Sequence, residues 1–193
     1  SIHSTEQNMY VRSNLAIALN KILNNPILYE SNENNNDFHS IILNIFNIIQ
    51  NMIDKEKFEV KYYLLSTTEF DFFNIIKDDN FKVEILNKSI KLIITVFEKV
   101  NEWRIRYSIY NKVETFLSNK DNFLKITNLF QQGKNMNINT NQENNNVEMI
   151  NNLRNLIKLF FNDKANIIRI NCLNLIDNII SMEKDNNIQN DLW

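Results

Sequence analysis

The near absence of glycine and proline limits what this chain can fold into more than any other feature. In 193 residues there is one glycine, Gly133, and one proline, Pro26, whereas average usage would give roughly a dozen glycines at about 7%. Tight turns between strands need residues that accept positive φ, and glycine supplies most of them. The sequence therefore predicts an all-α protein.

Apolar residues recur with the spacing of amphipathic helices along most of the chain. Three of the predicted helices lie within residues 11–23, 38–53 and 83–100. Each apolar stripe is broad, which suits helices that contact neighbours on more than one side. The positions predicted to be buried are Leu15, Ile17, Ala18 and Ile22, then Ile41, Ile42, Phe46, Ile49 and Ile53, then Ile85, Leu86, Ile90, Ile93, Ile94 and Phe97.

Charge and cysteine content exclude several classes of function. Of the residues, 44% are hydrophobic, which favours one domain with a sizeable core. The net charge is −2, which argues against a nucleic-acid binder because phosphate contacts need an excess of lysine and arginine. The single cysteine, Cys172, excludes an internal disulfide and a multi-cysteine zinc site. We therefore expect a reducing compartment, the cytoplasm or the nucleus. No apolar run is long enough to span a bilayer, so no membrane association is expected.

Two polar segments interrupt the helical pattern, residues 30–37 and 131–146. Both are rich in asparagine and nearly devoid of large apolar side chains. Such segments gain little from burial to offset the entropy of ordering. We predict flexible insertions in the loops between helices.

Four segments repeat one arrangement, in which a β-branched residue and a cation are followed by a helix. The separations between successive cations are 49, 45 and 63 residues. Without the two asparagine-rich segments, the first becomes 41 and the last 47. These values fall within or close to the ~40–47 residue period of two-helix solenoid repeats. The cations are Arg12, Lys61, Arg106 and Arg169.

The repeat predicts a helical hairpin in which an acidic or amide residue at the turn caps the second helix. The cation lies one turn inside that helix, where it can bond an acidic turn residue of its own or an adjacent repeat. Asp163, six residues before Arg169, has this layout. Before Arg106 the equivalent position is Val100, and Asn101 or Glu102 substitutes for the acid.

In this order, the segments "VRSNLAIAL", "EVKYYLLS", "EWRIRYSI" and "IIRINCLNLI" resemble consecutive HEAT repeats of the scaffold subunit of type 2A protein serine/threonine phosphatase. The Trp-Arg turn at residues 103–104 is the most specific match. The resemblance implies an α-α superhelix of about four helical hairpins, with residues 1–193 as a single solenoid fragment of a longer chain. It also implies a scaffold that performs no chemistry and needs no cofactor.

In that family the turns between paired helices line up as a ridge that holds the catalytic subunit and a variable regulatory B-type subunit. Trp103 and Arg104 match the family's Trp-Arg turn, and Arg106 belongs to the structural cations with Arg12, Lys61 and Arg169. For Trp103 a second reading stays open, in which the indole covers the core of the neighbouring repeat. The ridge carried over by position comprises Lys57, Phe58, Glu59, Asn101, Glu102, Trp103, Arg104, Lys164, Ala165 and Asn166.

Other readings of the chain remain. It could be a different HEAT or armadillo solenoid, such as a transport receptor or a proteasome- or condensin-type subunit, with the Trp turn coincidental. An all-α enzyme is disfavoured because neither His3 nor His39 is placed to activate Cys172, which we expect to be buried. Asp78 or Asp79 is expected to cap a helix rather than to bind a metal. Because solenoid ends normally need polar caps, we also expect the isolated fragment to self-associate.

Overall fold

The computed structural model describes residues 8–31, 36–55, 60, 70, 72–135 and 140–185. Every regular element among these residues is helical, and no strand occurs in the described part of the chain. The prediction of an all-α protein is confirmed. The chain divides into two compact units, Ser1–Lys82 and Val83–Trp193. The prediction of one continuous solenoid stays a prediction.

The structure gives bounds for nine helices, and the boundary between the two units falls inside the fifth. The helices are α1 (Met9–Leu23), α2 (Pro26–Ser31), α3 (Asn36–Lys55), α4 (Phe72–Ile75), α5 (Asp79–Lys99), α6 (Trp103–Ser118), α7 (Lys120–Asn135), α8 (Thr140–Phe161) and α9 (Asn166–Asp185).

In the first unit, α1 packs against α3 and α2 packs against α4. The hydroxyl of Tyr29 donates to the carbonyl of Leu23 at 2.8 Å, which ties α2 to the end of α1. Asp78 accepts from the backbone N–H groups of Asn80 and Phe81 at 2.8 and 3.2 Å. The expected helix cap at the start of α5 is therefore confirmed at Asp78.

The predicted buried face of α1 is wrong. The side of α1 that packs inward carries Ala16, Leu19 and Leu23, together with Ser13 and Asn20. The predicted positions are exposed or half-buried, and 38% of Ile22 is exposed. Apolar residues occur all round α1, so their spacing does not select a single face. Two polar side chains lie on the inward side, where Asn20 donates to the Ala16 carbonyl.

Four helices of the second unit pack in a ring, in which α6 and α8 each contact both α7 and α9. Helix α5 joins α8 through an edge contact between the rings of Phe97 and Phe160, whose centroids lie 5.0 Å apart. Phe160 also meets the ring of Tyr110 on α6 at 5.1 Å. Phe160 and Tyr110 are fully buried and Phe97 nearly so, and they mark the centre of this core.

Residues 131–146 are predicted to form a loop insertion, but the structure shows helix at both ends of this segment. Residues 131–135 belong to α7 and residues 140–146 belong to α8, while 136–139 lie outside the described residues. Asn146 is buried and its amide donates to the carbonyl of Leu129 at 3.0 Å. Two helices, α7 and α8, therefore lie between α6 and α9, where the repeat pattern predicts one. Tertiary packing outweighs the modest helix propensity of asparagine here.

The other polar segment, residues 30–37, also ends in helices. Residues 30–31 close α2 and residues 36–37 open α3, while 32–35 lie outside the described residues. None of the described helices combines the length and the apolar character that crossing a bilayer requires.

Candidate functional site

Two hairpin turns form the candidate site. One, at residues 100–102, joins α5 to α6, and the other, at 162–165, joins α8 to α9. Glu102 precedes α6 in an extended conformation, with φ −74° and ψ 112°, and its side chain makes no capping hydrogen bond. The carboxylate of Asp163 accepts from the backbone N–H of Ala165 at 2.7 Å. The second turn is thus closed by a side-chain bond just before its second helix, whereas Glu102 makes no capping bond in the first turn.

Arg106 and Asp163 fasten the two turns to each other. The guanidinium donates from Nε to Oδ2 at 2.6 Å and from Nη2 to Oδ1 at 3.1 Å. Its Nη1 donates to the carbonyls of Val100 and Asn101, both at 2.8 Å. The two side chains are only 7% and 3% exposed. Arg106 thus bonds its own turn and the α8–α9 turn at once.

Arg169 bonds the predicted turn residue, Asp163, through its backbone carbonyl and not through its carboxylate. It donates to the backbone carbonyls of Asp163 and Lys164, at 2.5 and 3.2 Å, and to the side-chain oxygen of Asn166. The Asp163 carboxylate already receives Arg106 and the Ala165 N–H. The six-residue spacing between Asp163 and Arg169 therefore places the guanidinium of Arg169 against the main chain of the turn.

The other two cations of the repeat pattern lie in the first unit. Arg12 is half-buried on α1. Lys61 lies outside the described residues, as do Lys57, Phe58 and Glu59 of the predicted ridge.

The exposed part of the two turns is centred on an aromatic side chain. Trp103, the first residue of α6, is 44% exposed. The guanidinium carbon of Arg104 lies 5.6 Å from the centre of the indole, and the Tyr107 ring lies 6.5 Å from it on the next turn. A cation and a second aromatic ring thus both lie near the exposed indole.

The remaining predicted ridge residues of this unit surround Trp103 or lie on the second turn. Asn101, Lys164 and Asn166 are exposed, whereas Glu102 and Ala165 are half-buried. We call the set Asn101, Glu102, Trp103, Arg104, Lys164, Ala165 and Asn166 the turn surface.

The turn surface carries a positive balance. Arg104 and Lys164 are exposed cations, and Glu102 is its one acidic member. Asp163 adds no free negative charge, because its carboxylate is buried against Arg106. An exposed aromatic ring beside cations is typical of a surface that binds an acidic or aromatic segment of another protein.

The described residues offer little for covalent or metal chemistry. Among them, no three histidine, cysteine, aspartate or glutamate side chains gather as a metal site. Cys172 is fully buried as expected, with its Sγ 3.7 Å from the Ile157 carbonyl oxygen. Burial raises the pKa of its thiol to about 11. The arrangement at the turns is suited to binding.

The sequence interpretation missed a polar cluster that links α5 to α8. Glu148 accepts from Lys91 at 2.6 Å and from Asn87 at 2.8 Å, and Asn152 donates to Asn87 at 2.7 Å. The hydrogen bond from Lys91 is the main reason why the pKa of Glu148 is lowered. A signal was present, since Asn87 and Lys91, like Glu148 and Asn152, are four apart and share a helix face.

Fold and site together define an all-helical protein with two neighbouring hairpin turns and an exposed, cation-flanked indole. No protein-family model, curated protein or solved structure matches the chain.

Proposed function

We propose that this chain is a non-catalytic scaffold fragment built from stacked helical hairpins of the HEAT type. Its turn surface holds a protein partner. In the specific form of the proposal, the partner is the catalytic subunit of a type 2A protein serine/threonine phosphatase. The fragment would join that subunit to a regulatory B-type subunit.

The ion pair between Arg106 and Asp163 carries the proposal. It connects the α5–α6 turn to the α8–α9 turn, so that these two hairpins present their turns side by side although α7 lies between them in sequence. Tyr107 and Asn171, one turn further along α6 and α9, lie within 3.4 Å of each other. Stacking of like helices with aligned turns is what a solenoid requires to build a ridge.

The composition of the turn surface supports a protein partner. Tryptophan and arginine are the residues that most often anchor protein interfaces, and Trp103 and Arg104 already lie together. Arg104 and Tyr107 lie beside the indole on its own helix, and a tryptophan side chain has few rotatable bonds to order when a partner covers it. Partial exposure at 44% leaves one part of the ring available.

The mechanism of such a scaffold is assembly. Holding a catalytic subunit beside a substrate-selecting subunit replaces a bimolecular encounter with an intramolecular one. Effective concentrations in the millimolar range are typical of short connections. The scaffold itself needs no reacting group.

Direct binding to the purified phosphatase catalytic subunit tests the proposal. Immobilised chain should capture the subunit, and Trp103→Ala combined with Arg104→Ala should weaken capture at least about tenfold, the effect of losing roughly 1.4 kcal/mol at an interface anchor. Helical circular dichroism should stay unchanged, because both side chains are exposed.

A matched control is Val147→Ala combined with Lys158→Ala. These two residues lie on α8 and are also exposed. Capture by the control should equal that of the wild type. Equal capture by the Trp103 and Arg104 variant would reject the turn surface as the contact. Failure of the wild-type chain to bind would reject the phosphatase assignment and leave a different solenoid as the alternative.

A further inference from the structure

The two exposed cations of the turn surface lack ionic partners. Arg104 and Lys164 are exposed, and within the described part of the chain no side-chain hydrogen bond or ion pair joins either of them to another residue. Lys91, which is also exposed, pairs with Glu148 on another helix at 2.6 Å. The fold therefore pairs some of its surface cations internally but leaves these two on the turns.

Contact with the indole leaves the hydrogen-bond donors of Arg104 available. Its guanidinium carbon lies 5.6 Å from the centre of the Trp103 ring, which is within the range of a cation–π contact. That attraction acts through the charge and uses none of the N–H donors of the guanidinium. Arg104 can therefore stay beside the indole while two of its N–H groups bind one carboxylate.

The fixed charges of the two turns favour a negatively charged partner. Outside the buried pair of Arg106 and Asp163, residues 100–104 and 162–169 carry three positive charges and one negative charge. The negative charge is that of Glu102, which is half-buried. The positive charges are those of Arg104, Lys164 and Arg169. An acidic segment is attracted to this surface, whereas a basic segment is repelled.

The ion pair that fastens the two turns also places the exposed cations on neighbouring turns. Arg104 lies two residues before Arg106, and Lys164 directly follows Asp163. Arg106 and Asp163 bond each other at 2.6 Å. An extended segment rises about 3.3 Å per residue, so a run of four or five residues covers about 15 Å. A short acidic run can therefore meet a cation on each turn.

We infer that the turn surface binds an extended acidic segment of a protein partner. One carboxylate of the segment pairs with Arg104, another lies against Lys164, and an apolar side chain of the segment covers the Trp103 indole. The ring is 44% exposed and offers the apolar contact. The inference rests on the proposed role of the turn surface as a partner contact, and it adds the chemistry of what is bound there.

Indole fluorescence measures this binding directly. The chain contains two tryptophans, so Trp193→Phe leaves Trp103 as the single indole. We expect the acidic peptide acetyl-EEDFDEE-amide to change the emission of this protein in a saturable way below about 1 mM. The neutral peptide acetyl-QQNFNQQ-amide keeps the phenylalanine but has no carboxylate, and it should bind at least about tenfold more weakly. Added salt should weaken the binding of the acidic peptide, because it screens exposed charges.

Charge reversal tests the two cations. Arg104→Glu combined with Lys164→Glu should raise the dissociation constant of the acidic peptide at least about tenfold. Arg104→Lys should have a smaller effect, because lysine keeps the charge but loses the planar pair of donors.

The matched control is Lys120→Glu combined with Lys184→Glu, which makes the same change in net charge. Both residues are exposed. Lys120 directly follows the loop residue after α6, and Lys184 lies near the end of α9, so that each is about 25 Å along a helix from its turn. At more than twice the screening length of physiological salt, the control should alter binding less than about twofold.

The inference would be overturned by an unchanged emission up to about 1 mM acidic peptide, by equal binding of the acidic and neutral peptides, or by equal weakening in the control variant. Tighter binding of a short oligothymidine than of the acidic peptide would also overturn it and assign the surface to nucleic acid. If the phosphatase catalytic subunit binds the chain but the acidic peptide does not, this inference alone fails. If the peptide binds but the subunit does not, the phosphatase assignment alone fails.

Discussion

The guanidinium of Arg106 and the carboxylate of Asp163 form a two-point ion pair across 57 residues of sequence, with N–O distances of 2.6 and 3.1 Å. Both side chains are almost fully buried. Two further bonds from the same guanidinium reach the main chain of the α5–α6 turn. A lysine has one ammonium group and could not match this planar pattern of donors.

Asp163→Asn should destabilise the fold strongly. The variant keeps an oxygen for the Ala165 N–H but removes the charge opposite Arg106, which leaves a buried cation without its partner. We expect a loss of about 3 kcal/mol in the free energy of unfolding, at the low end for breaking a buried pair. Urea denaturation followed by circular dichroism measures it.

The control for this prediction is Asp177→Asn, at an exposed position on α9. Its effect should stay within about 0.5 kcal/mol, as for most surface substitutions. Replacing both Arg106 and Asp163 by leucine should cost less than the two single changes summed, because no buried charge remains. A loss below about 1 kcal/mol for Asp163→Asn would mean that the pair does not hold the two turns together.

Helix content could be predicted from the sequence, because one glycine and one proline leave few ways to build a sheet and because apolar spacing was strong in α3 and α5. Of the stripe predicted in α3, Ile42, Phe46, Ile49 and Ile53 are buried, whereas Ile41 is 56% exposed. For α1, the prediction of which side of the helix is buried was wrong. The difference is physical: α3 has one polar side, while α1 has apolar residues all round.

The number of helices between Arg106 and Arg169 could not be read from local composition. Residues 131–146 contain many asparagines, which individually favour turns and caps over helix interiors. The buried hydrogen bond from the Asn146 amide to the Leu129 carbonyl joins α8 to α7. A contact between two helices of this kind cannot be predicted from the residues next to Asn146 in sequence. For Asp163 the repeat pattern left two partners open, the cation of its own repeat or that of an adjacent one, and only the structure shows that the carboxylate bonds Arg106 and that Arg169 bonds the backbone carbonyl.

Glu148 should make part of the stability depend on pH. Hydrogen bonds from Lys91 and Asn87 lower the pKa of its carboxyl below the ordinary value of 4.5. As the pH falls, the unfolded chain therefore binds a proton first, so the stabilisation is complete well above pH 4.5 and is lost as the pH falls through the lower folded pKa. Lys91 and Glu148 are 48% and 46% exposed, so about 0.5 kcal/mol is expected.

Urea denaturation of wild type and Glu148→Gln between pH 7 and pH 3 measures this contribution. The difference between the two proteins should be largest at neutral pH and should shrink towards zero in acid. Glu98→Gln, at an exposed position of α5, should show no comparable trend. A difference that stays constant down to pH 3 would assign the effect to packing rather than to the carboxylate charge.

Cys172 should resist thiol reagents until the second unit opens. Its side chain is fully buried on α9, and burial raises the thiol pKa to about 11. Burial keeps the reagent away from the sulfur, and the raised pKa leaves little thiolate at pH 8. We expect reaction with a disulfide reagent such as dithionitrobenzoate to be at least about a thousandfold slower in the native chain than in denaturant, since only opened molecules react.

A matched control is Ser181→Cys in a Cys172→Ala background, because Ser181 is exposed on the same helix. That cysteine should react almost as fast in the native chain as in denaturant. Fast native reaction at Cys172 would show that α9 separates readily from α6 and α8, and would contradict the packing that places the two hairpin turns side by side.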